Sequence, residues 1–486
     1  MSTIKDLKPS ALWEFFHELT QIPRPSKKEE RAVEFAKNFG EKHGLETHVD
    51  SVGNVIIRKP ATPGHENKMG VILQAHLDMV PQKNSDKEHD FEKDPIEAVV
   101  DGDWVRANGT TLGSDNGIGV AASLAVLSAS DIEHGPVEAL LTIDEETGMT
   151  GAFELKPGLL EGNILLNLDS EDEGELYIGC AGGMNTTAHM VYDEEETPNG
   201  HLAFKLELKG LKGGHSGLDI HLGRGNANKL MNRYFWDANE KFDLRISSID
   251  GGSLRNAIPR ESFAIVTIPE NNKDEFLASV RTHNELFKNE FKGPEPELSF
   301  SAAEVDLPSK VMNKDVQDKI IKMVYGIPNG VMRMSSDMAG VVETSTNLAI
   351  VKAMEGEFTA LCLIRSSVDS AKFSVGHMTQ AVMDLAGAEV THDGTYPGWK
   401  PNVESPILRT MKKVYEDKYS KVPEVKVIHA GLECGIIGDA YPGLDMISFG
   451  PTIRFPHSPD EKVNIETVQK FWDYLLETLK NIPETK

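Results

Sequence analysis

The chain alternates short apolar runs with amphipathic stretches, and that rhythm predicts its elements. Leu12, Phe15, Phe16 and Leu19 recur at helical spacing and predict a helix over 10–22. Ser26 and Glu29 have capping-box spacing before a second amphipathic run, which ends at Gly44, a suitable helix stop. Four apolar runs have the length of buried strands: Met69–Ala75, Val137–Ile143, Ile164–Leu168 and Met446–Phe449. An Ala-rich stretch, Asn116–Ser130, lies between the first two and reads as a helix. Strands alternating with helices predict an α/β domain whose mixed, largely parallel sheet is flanked by helices.

The texture changes after Gly182-Gly183. Segments such as Ala203–Leu208 and Phe263–Ile268 alternate between apolar and polar, with helical runs between them. Residues 184–398 therefore read as an inserted α+β domain. The first domain is expected to comprise 1–183 and to resume over 399–486, ending in an amphipathic helix from about Asn464 to Ile482. A length of 486 residues agrees with two cores, because single cores stop growing at roughly 250–300 residues.

Composition narrows the function classes. Lys and Arg number 50 against 76 Asp and Glu, a net charge of −26, so neither nucleic acid nor an anionic membrane is an expected partner. Cys180, Cys362 and Cys434 are far apart and form no CxxC, which argues against a disulfide framework or a thiolate metal site. Any metal must then be held by His, Asp and Glu. The N-terminal segment lacks an apolar signal core, and no run of about 18 apolar residues suits a membrane span. A cytoplasmic location is expected.

The polar residues that follow the apolar strands carry the candidate chemistry, since ligands of such sheets sit beyond the carboxyl ends of strands. His76 and Asp78, two apart, point to one side of a strand. His76 suits a metal through one imidazole nitrogen, with Asp78 orienting it; read alone, the pair is a solvated strand end. Asp115 lies in a glycine-rich turn before a helix, where a carboxylate can bridge two cations or simply cap the helix. Asp144-Glu145-Glu146 concentrates like charge, which is unfavourable unless a cation offsets it. Glu146 suits a metal there and Glu145 a bound water; read alone, the run is a solvated acidic turn. Asp169 ends another apolar strand. His457 lies in a Pro-bounded loop, where Ser458 and Glu461 have the spacing of a helix start.

The set says more than its members. Two His and three carboxylates suit a pair of borderline divalent ions. His76, Asp115 and Asp169 are assigned to one ion, and Asp115, Glu146 and His457 to the other. Two Zn2+ per chain are expected, with Mn2+ or Co2+ as substitutes. Glu145 is then the general base and Asp78 the residue that fixes the tautomer of His76.

His76-Leu77-Asp78, Gly113-Ser114-Asp115-Asn116-Gly117, Asp144-Glu145-Glu146-Thr147-Gly148 and Asn167-Leu168-Asp169 resemble, in order and with compatible spacing, the successive metal motifs of the M20 metallopeptidase family. His457 matches the family's last ligand, and the likeness covers essentially the whole chain. It implies a di-zinc peptidase catalytic domain with an inserted α+β lid domain. Gly210–Gly217 is similar to the family's lid motif, which implies that His215 stabilises an oxyanion or binds substrate. Gly251–Pro259 resembles a second lid motif, with Asn256 at the substrate. Arg365, in Leu363–Ser367, is a candidate for the substrate's terminal carboxylate, with a structural ion pair as its other reading.

Ser114-Asp115-Asn116, Ile364–Val368 and His429–Gly435 look like the aminoacyl-histidine (Xaa-His) dipeptidase branch, the cytosol non-specific dipeptidases. That likeness implies hydrolysis of small peptides, preferring Xaa-His dipeptides including β-alanyl-histidine, and a homodimer is expected. Other M20 specificities remain open: tripeptidase, broad dipeptidase or N-acyl amino acid deacylase. A two-metal phosphoesterase would want a phosphate cradle, and no GxxxxGK[ST] occurs. A non-catalytic metal- or peptide-binding protein would have no need of Glu145.

Overall fold

The computed structural model describes residues 3–485. The chain divides into two compact units. One holds the residues up to Gly179, Trp399–Val427 and those from Leu432 onward; the other holds Cys180–Gly398 and Ile428–Gly431.

The first unit is built on an eight-stranded mixed sheet. Its four central strands, Val137–Thr142, Val71–His76, Ile164–Asn167 and Asp445–Ser448, lie side by side in that order and run parallel. Val55–Lys59 pairs antiparallel on one flank, and Glu175–Cys180 meets Asp445–Ser448 antiparallel on the other. Every residue of Val71–His76, Val137–Thr142 and Ile164–Asn167 is buried. Strands covered on both faces read as continuous apolar runs rather than as alternation, which is why these three were legible in the sequence. The helix Ser114–Ser128 is buried from Asn116 to Leu127, its small Gly, Ala and Ser residues allowing close packing. The helix Ile465–Lys480 is capped by Asn464, whose side chain accepts the Thr467 N–H at 3.0 Å.

Two capping expectations fail. Ser26 does not cap the helix Glu30–Lys42, which has no side-chain cap; its hydroxyl donates to Asp78 Oδ2 at 2.8 Å. Ser458 and Glu461 start no helix, because Lys462–Asn464 is the return strand of a hairpin with Ile453–Arg454. Ser26 and Glu461 are drawn to partners distant in the chain, while the Ser458 hydroxyl accepts the nearby Asp460 N–H at 3.2 Å. Gly44 does end the second helix, in the left-handed region at φ 66°.

The second unit is an antiparallel nine-stranded sheet. Ala227–Lys241, Lys273–Glu290, Lys314–Gly326 and Asp369–Ala386 are its main helices. His201–Lys209 interleaves buried with half-buried residues, broken by the buried pair Ala203-Phe204. Phe204, Tyr234, Phe242, Phe276, Phe287 and Phe300 fill its core, with the Phe204 and Phe276 rings 5.1 Å apart. Among the described residues no helix is long and apolar enough to cross a membrane.

Candidate active site

Three parallel strands of the first unit deliver the predicted residues at their carboxyl ends. Val71–His76 ends on His76, Val137–Thr142 leads into Asp144-Glu145-Glu146, and Ile164–Asn167 leads into Asp169. Asp115 stands in a break at the start of its helix, where it and Asn116 have non-helical backbone angles. His457 is carried by the loop of the hairpin Ile453–Arg454 and Lys462–Asn464.

These elements converge. His76 Nε2 lies 3.1 Å from Asp115 Oδ1 and 3.3 Å from Asp169 Oδ1. His457 Nε2 lies 3.3 Å from Asp115 Oδ2 and 2.9 Å from Glu146 Oε2. Asp115 thus turns one oxygen to each imidazole and belongs to two donor sets, His76–Asp115–Asp169 and Asp115–Glu146–His457. In each set the donor atoms lie within 4.8 Å of one another.

The electrostatics are those of a site with excess negative charge. Burial pushes the Asp169 carboxyl up to about 7, with Asp115 and Glu146 adding to it against the opposing effect of His76. Burial, Asp115 and Asp169 push Glu171 up to about 8. Hydrogen bonds to Asp115 and Glu146 raise His457 to about 11. Glu146 Oε1 is buried without a hydrogen-bond partner among the described residues. Imidazole and carboxylate donors, an orphaned buried oxygen and concentrated anionic charge together fit divalent cations. A further acidic group, Glu29, Asp78 and Asp144, is as tightly clustered, but each of its carboxylates already accepts hydrogen bonds, from the Ser26, Thr147 and Thr150 hydroxyls and from the backbone N–H groups of Lys27, Asp144 and Glu145.

Asp78 holds two parts of the site at once. Its Oδ1 is 3.3 Å from His76 Nδ1, leaving Nε2 of that ring for the donor set. It also accepts the N–H groups of Glu145 at 3.0 Å and Glu146 at 3.2 Å. Burial alone would raise its pKa, but the hydrogen bond from His76 and those from Ser26 and Glu145 bring it to about 2. The Glu145 carboxylate accepts no hydrogen bond from any described residue. Burial pushes it well above the ordinary range; Asp169, Glu433 and Glu146 act in the same direction, and His76 opposes them.

Sequence reasoning missed the residues that support this site. Glu461 accepts the N–H groups of Leu112, Gly113 and Ser114 at 2.8–3.0 Å and the Ser114 hydroxyl at 2.6 Å. It thereby clamps the turn that carries Asp115. Arg24, buried, donates to the carbonyls of Leu77, Asp78 and Gly113 at 2.8, 2.9 and 2.5 Å. Gly113 is required there: its φ is 71°, and a Cβ would lie 2.6 Å from Arg24 Nη2. Glu433 accepts from Gln74 Nε2 at 2.6 Å and Thr142 Oγ1 at 2.8 Å beneath the strand ends. No local signal identifies these groups; Glu461 and Leu112 are 349 positions apart.

In the second unit the two lid-like motifs meet. Gly214–His215 pairs antiparallel with Ala257–Ile258, and Ser216 N–H donates to the Asn256 carbonyl at 2.8 Å. The Asn256 side chain is exposed. Arg365 is only 4% exposed. Its guanidinium lies 3.0 Å from Tyr396 Oη, 3.3 Å from Ser216 Oγ and 3.4 Å from His215 Nε2. No carboxylate among the described residues pairs with it, so the structural ion pair is absent. His215 Nδ1 accepts the N–H groups of Gly217 at 3.2 Å and Leu218 at 3.1 Å. The proton of the neutral ring is therefore on Nε2. Burial, and then Arg365, lowers the His215 pKa to about 4, so the ring is neutral near pH 7. Two N–H donors, with no carboxylate of the described residues paired to either, make a place for an anionic group.

The sequence profile of Peptidase family M20/M25/M40 matches residues 72–481. The chain belongs to this family. As an M20 peptidase it is a hydrolase of peptide bonds. It is 47% identical over 483 residues, 99% of this chain and 100% of the relative, to the cytosol non-specific dipeptidase of Escherichia coli strain K12. The structure of aminoacylhistidine dipeptidase from Vibrio alginolyticus superposes with a TM-score of 0.96 at 51% identity, covering 100% of this chain and 99% of the other. The structure of aminopeptidase PepT from Bacillus cereus ATCC 10987 shares the fold at 16% identity, with a TM-score of 0.63 and coverage of 98% of this chain and 99% of the other.

Proposed function

We propose that this M20 peptidase is a metal-dependent dipeptidase preferring Xaa-His substrates, including β-alanyl-histidine. The observation that carries the metal-dependent reading is the sharing of Asp115 between two imidazole–carboxylate donor sets, beside a Glu145 carboxylate with no hydrogen-bond partner among the described residues. The choice of substrate is supported by the names and high identity of the Escherichia coli and Vibrio alginolyticus relatives.

His76, Asp115 and Asp169 would hold one cation and Asp115, Glu146 and His457 the other, with zinc the expected metal. When bound, such a pair supplies Lewis acidity, which acidifies water and polarises a carbonyl. Glu145 takes the proton of the attacking water at its carboxylate and returns it to the leaving amine nitrogen. Desolvation favours that role, because a carboxylate with a raised pKa is a stronger base. Asp78 fixes the His76 tautomer and, through two backbone N–H groups, the position of Glu145. In the second unit, Arg365 and the Nε2–H of His215 bind an anionic group of the substrate, and Asn256 contributes a polar contact. The same reading takes the enzyme to be cytosolic and homodimeric.

Metal content and hydrolysis of glycyl-histidine and β-alanyl-histidine, before and after chelation, test the proposal. Two metals per chain, with cleavage lost on chelation and restored by zinc, are expected. Two metals with preferred cleavage of tripeptides or N-acyl amino acids would reassign the specificity. No bound metal and no metal-restored activity would overturn the reading.

A further inference from the structure

Building on the dipeptidase reading, we infer that Glu171 is the residue that recognises the free amino group of the substrate. A dipeptidase differs from a deacylase in accepting a cationic N-terminus beside the scissile bond. That cation needs an anion which is near the candidate metal centre and has no other partner.

The acids around the candidate metal centre can be sorted by what they touch. Asp115, Glu146 and Asp169 are in the donor sets. Asp78, Asp144, Glu29, Glu433 and Glu461 accept hydrogen bonds from the protein. In the acidic run after Asp169, Asp172 pairs with Arg454 Nη2 at 2.7 Å. Glu173 accepts from Tyr415 Oη at 2.5 Å, and Glu175 from Tyr177 Oη at 2.7 Å. Glu145 is the proposed base. The Glu171 carboxylate is left, with no hydrogen bond or ion pair to any described residue, half-buried in the field of Asp115, Asp169 and His457.

Its backbone is held firmly, which a recognition residue requires. The Glu171 carbonyl accepts Ile453 N–H at 3.0 Å and Arg454 Nη1 at 3.1 Å, tying it to the hairpin that carries His457. The preceding Ser170 hydroxyl meets Ser448 Oγ at 2.6 Å. Gly450 packs so closely that a Cβ there would lie 1.8 Å from the Ser170 carbonyl oxygen. A half-buried carboxylate with no partner among the described residues suits a primary ammonium: it offers acceptor lone pairs, and the ammonium's charge favours its ionised form against the burial and neighbouring acids that raise its pKa.

The test compares glycyl-histidine with N-acetyl-histidine, the same molecule without its ammonium group. Titration calorimetry on metal-loaded Glu145→Ala and on Glu145→Ala/Glu171→Gln reads binding without turnover. The second substitution is expected to weaken glycyl-histidine by about 10- to 100-fold, as loss of one charge-assisted hydrogen bond would, and to leave N-acetyl-histidine unchanged. In the single variant Glu171→Gln, KM for glycyl-histidine should rise far more than kcat falls, with metal content and melting temperature retained. Unchanged glycyl-histidine binding, equal weakening of both ligands, or loss of metal from Glu171→Gln would each overturn the inference. Failure of the unsubstituted enzyme to cleave any dipeptide would instead overturn the dipeptidase reading on which it rests.

Discussion

His215 Nε2 lies 3.4 Å from Arg365 Nη2, and both nitrogens carry hydrogen. The backbone N–H groups of Gly217 and Leu218 occupy Nδ1, so the imidazole cannot turn an acceptor toward the guanidinium. Two donors face each other, and Arg365 is only 4% exposed. The arrangement is unfavourable empty and favourable around an anion, which is how a binding site differs from a structural ion pair.

Replacing Arg365 should therefore separate function from stability. Arg365→Met removes a buried, unpaired charge, and the melting temperature is expected to hold or rise. KM for dipeptides is expected to increase at least tenfold, because the charged hydrogen bond lost is worth about 1.5–3 kcal/mol. Parallel thermal melts and steady-state kinetics check this. A large drop in melting temperature would show that Arg365 is a structural residue.

Glu145→Ala should abolish turnover without emptying the site. General acid–base catalysis contributes about 10²–10⁴-fold, so kcat is expected to fall by that factor with metal content unchanged. Retained kcat in a metal-replete variant would exclude Glu145 as the base. His76→Ala should instead lose metal.

Glu461→Ala should act on the metal through the turn of Asp115. The backbone N–H groups of Leu112, Gly113, Ser114 and Asp115 and the Ser114 hydroxyl lose their common acceptor. Loss of such an outer partner typically costs 10–100-fold in metal affinity, and the buried hydrogen bonds to a charged group are worth about 1.5–3 kcal/mol each. Competitive chelator titration and thermal unfolding would measure the two effects. Unchanged metal affinity would show that the turn is held by other contacts.

Metal removal should destabilise the fold. The carboxylates of the site are held close together, and a cation that binds only the folded state stabilises it by about 2.7 kcal/mol at a free concentration of 100 times Kd. Calorimetric scans of chelated protein with increasing zinc should show a rising transition for the first unit. A transition independent of zinc would contradict a preformed site.

His429 gives a pH dependence whose sign can be stated. Burial lowers its pKa to about 3, with Arg365, His215 and His221 acting the same way. Its Nε2 meets Ser345 Oγ at 2.7 Å. The folded ring stays neutral as pH falls through 6.5, while the unfolded chain takes up a proton. Stability is lost below about pH 6.5 at a limiting slope of about 1.4 kcal/mol per pH unit, until the folded ring protonates near pH 3. His429→Gln should make the pH 5–7 part of the stability profile shallower. An identical slope in both proteins would show that other groups set it.

The sequence by itself determined the parts that depend on neighbours along the chain. Val71–His76, Val137–Thr142 and Ile164–Asn167 are strands buried on both faces, so their apolar runs were legible, and so were the polar residues at their ends. His76, Asp115, Glu145, Glu146, Asp169 and His457 were named from those positions and from their order. The tertiary structure decided what each polar group does. Ser26 and Glu461 carry the local spacing of helix caps, yet Ser26 hydrogen-bonds to Asp78 and Glu461 to the Asp115 turn. Arg365 reads equally as an ion-pair member or an anion receptor until its surroundings show no acid. The physical reason is that periodicity reports burial, a local property of the chain. Hydrogen-bond partners, tautomers and unpaired charges depend on groups hundreds of residues away, which only folding brings within 3 Å.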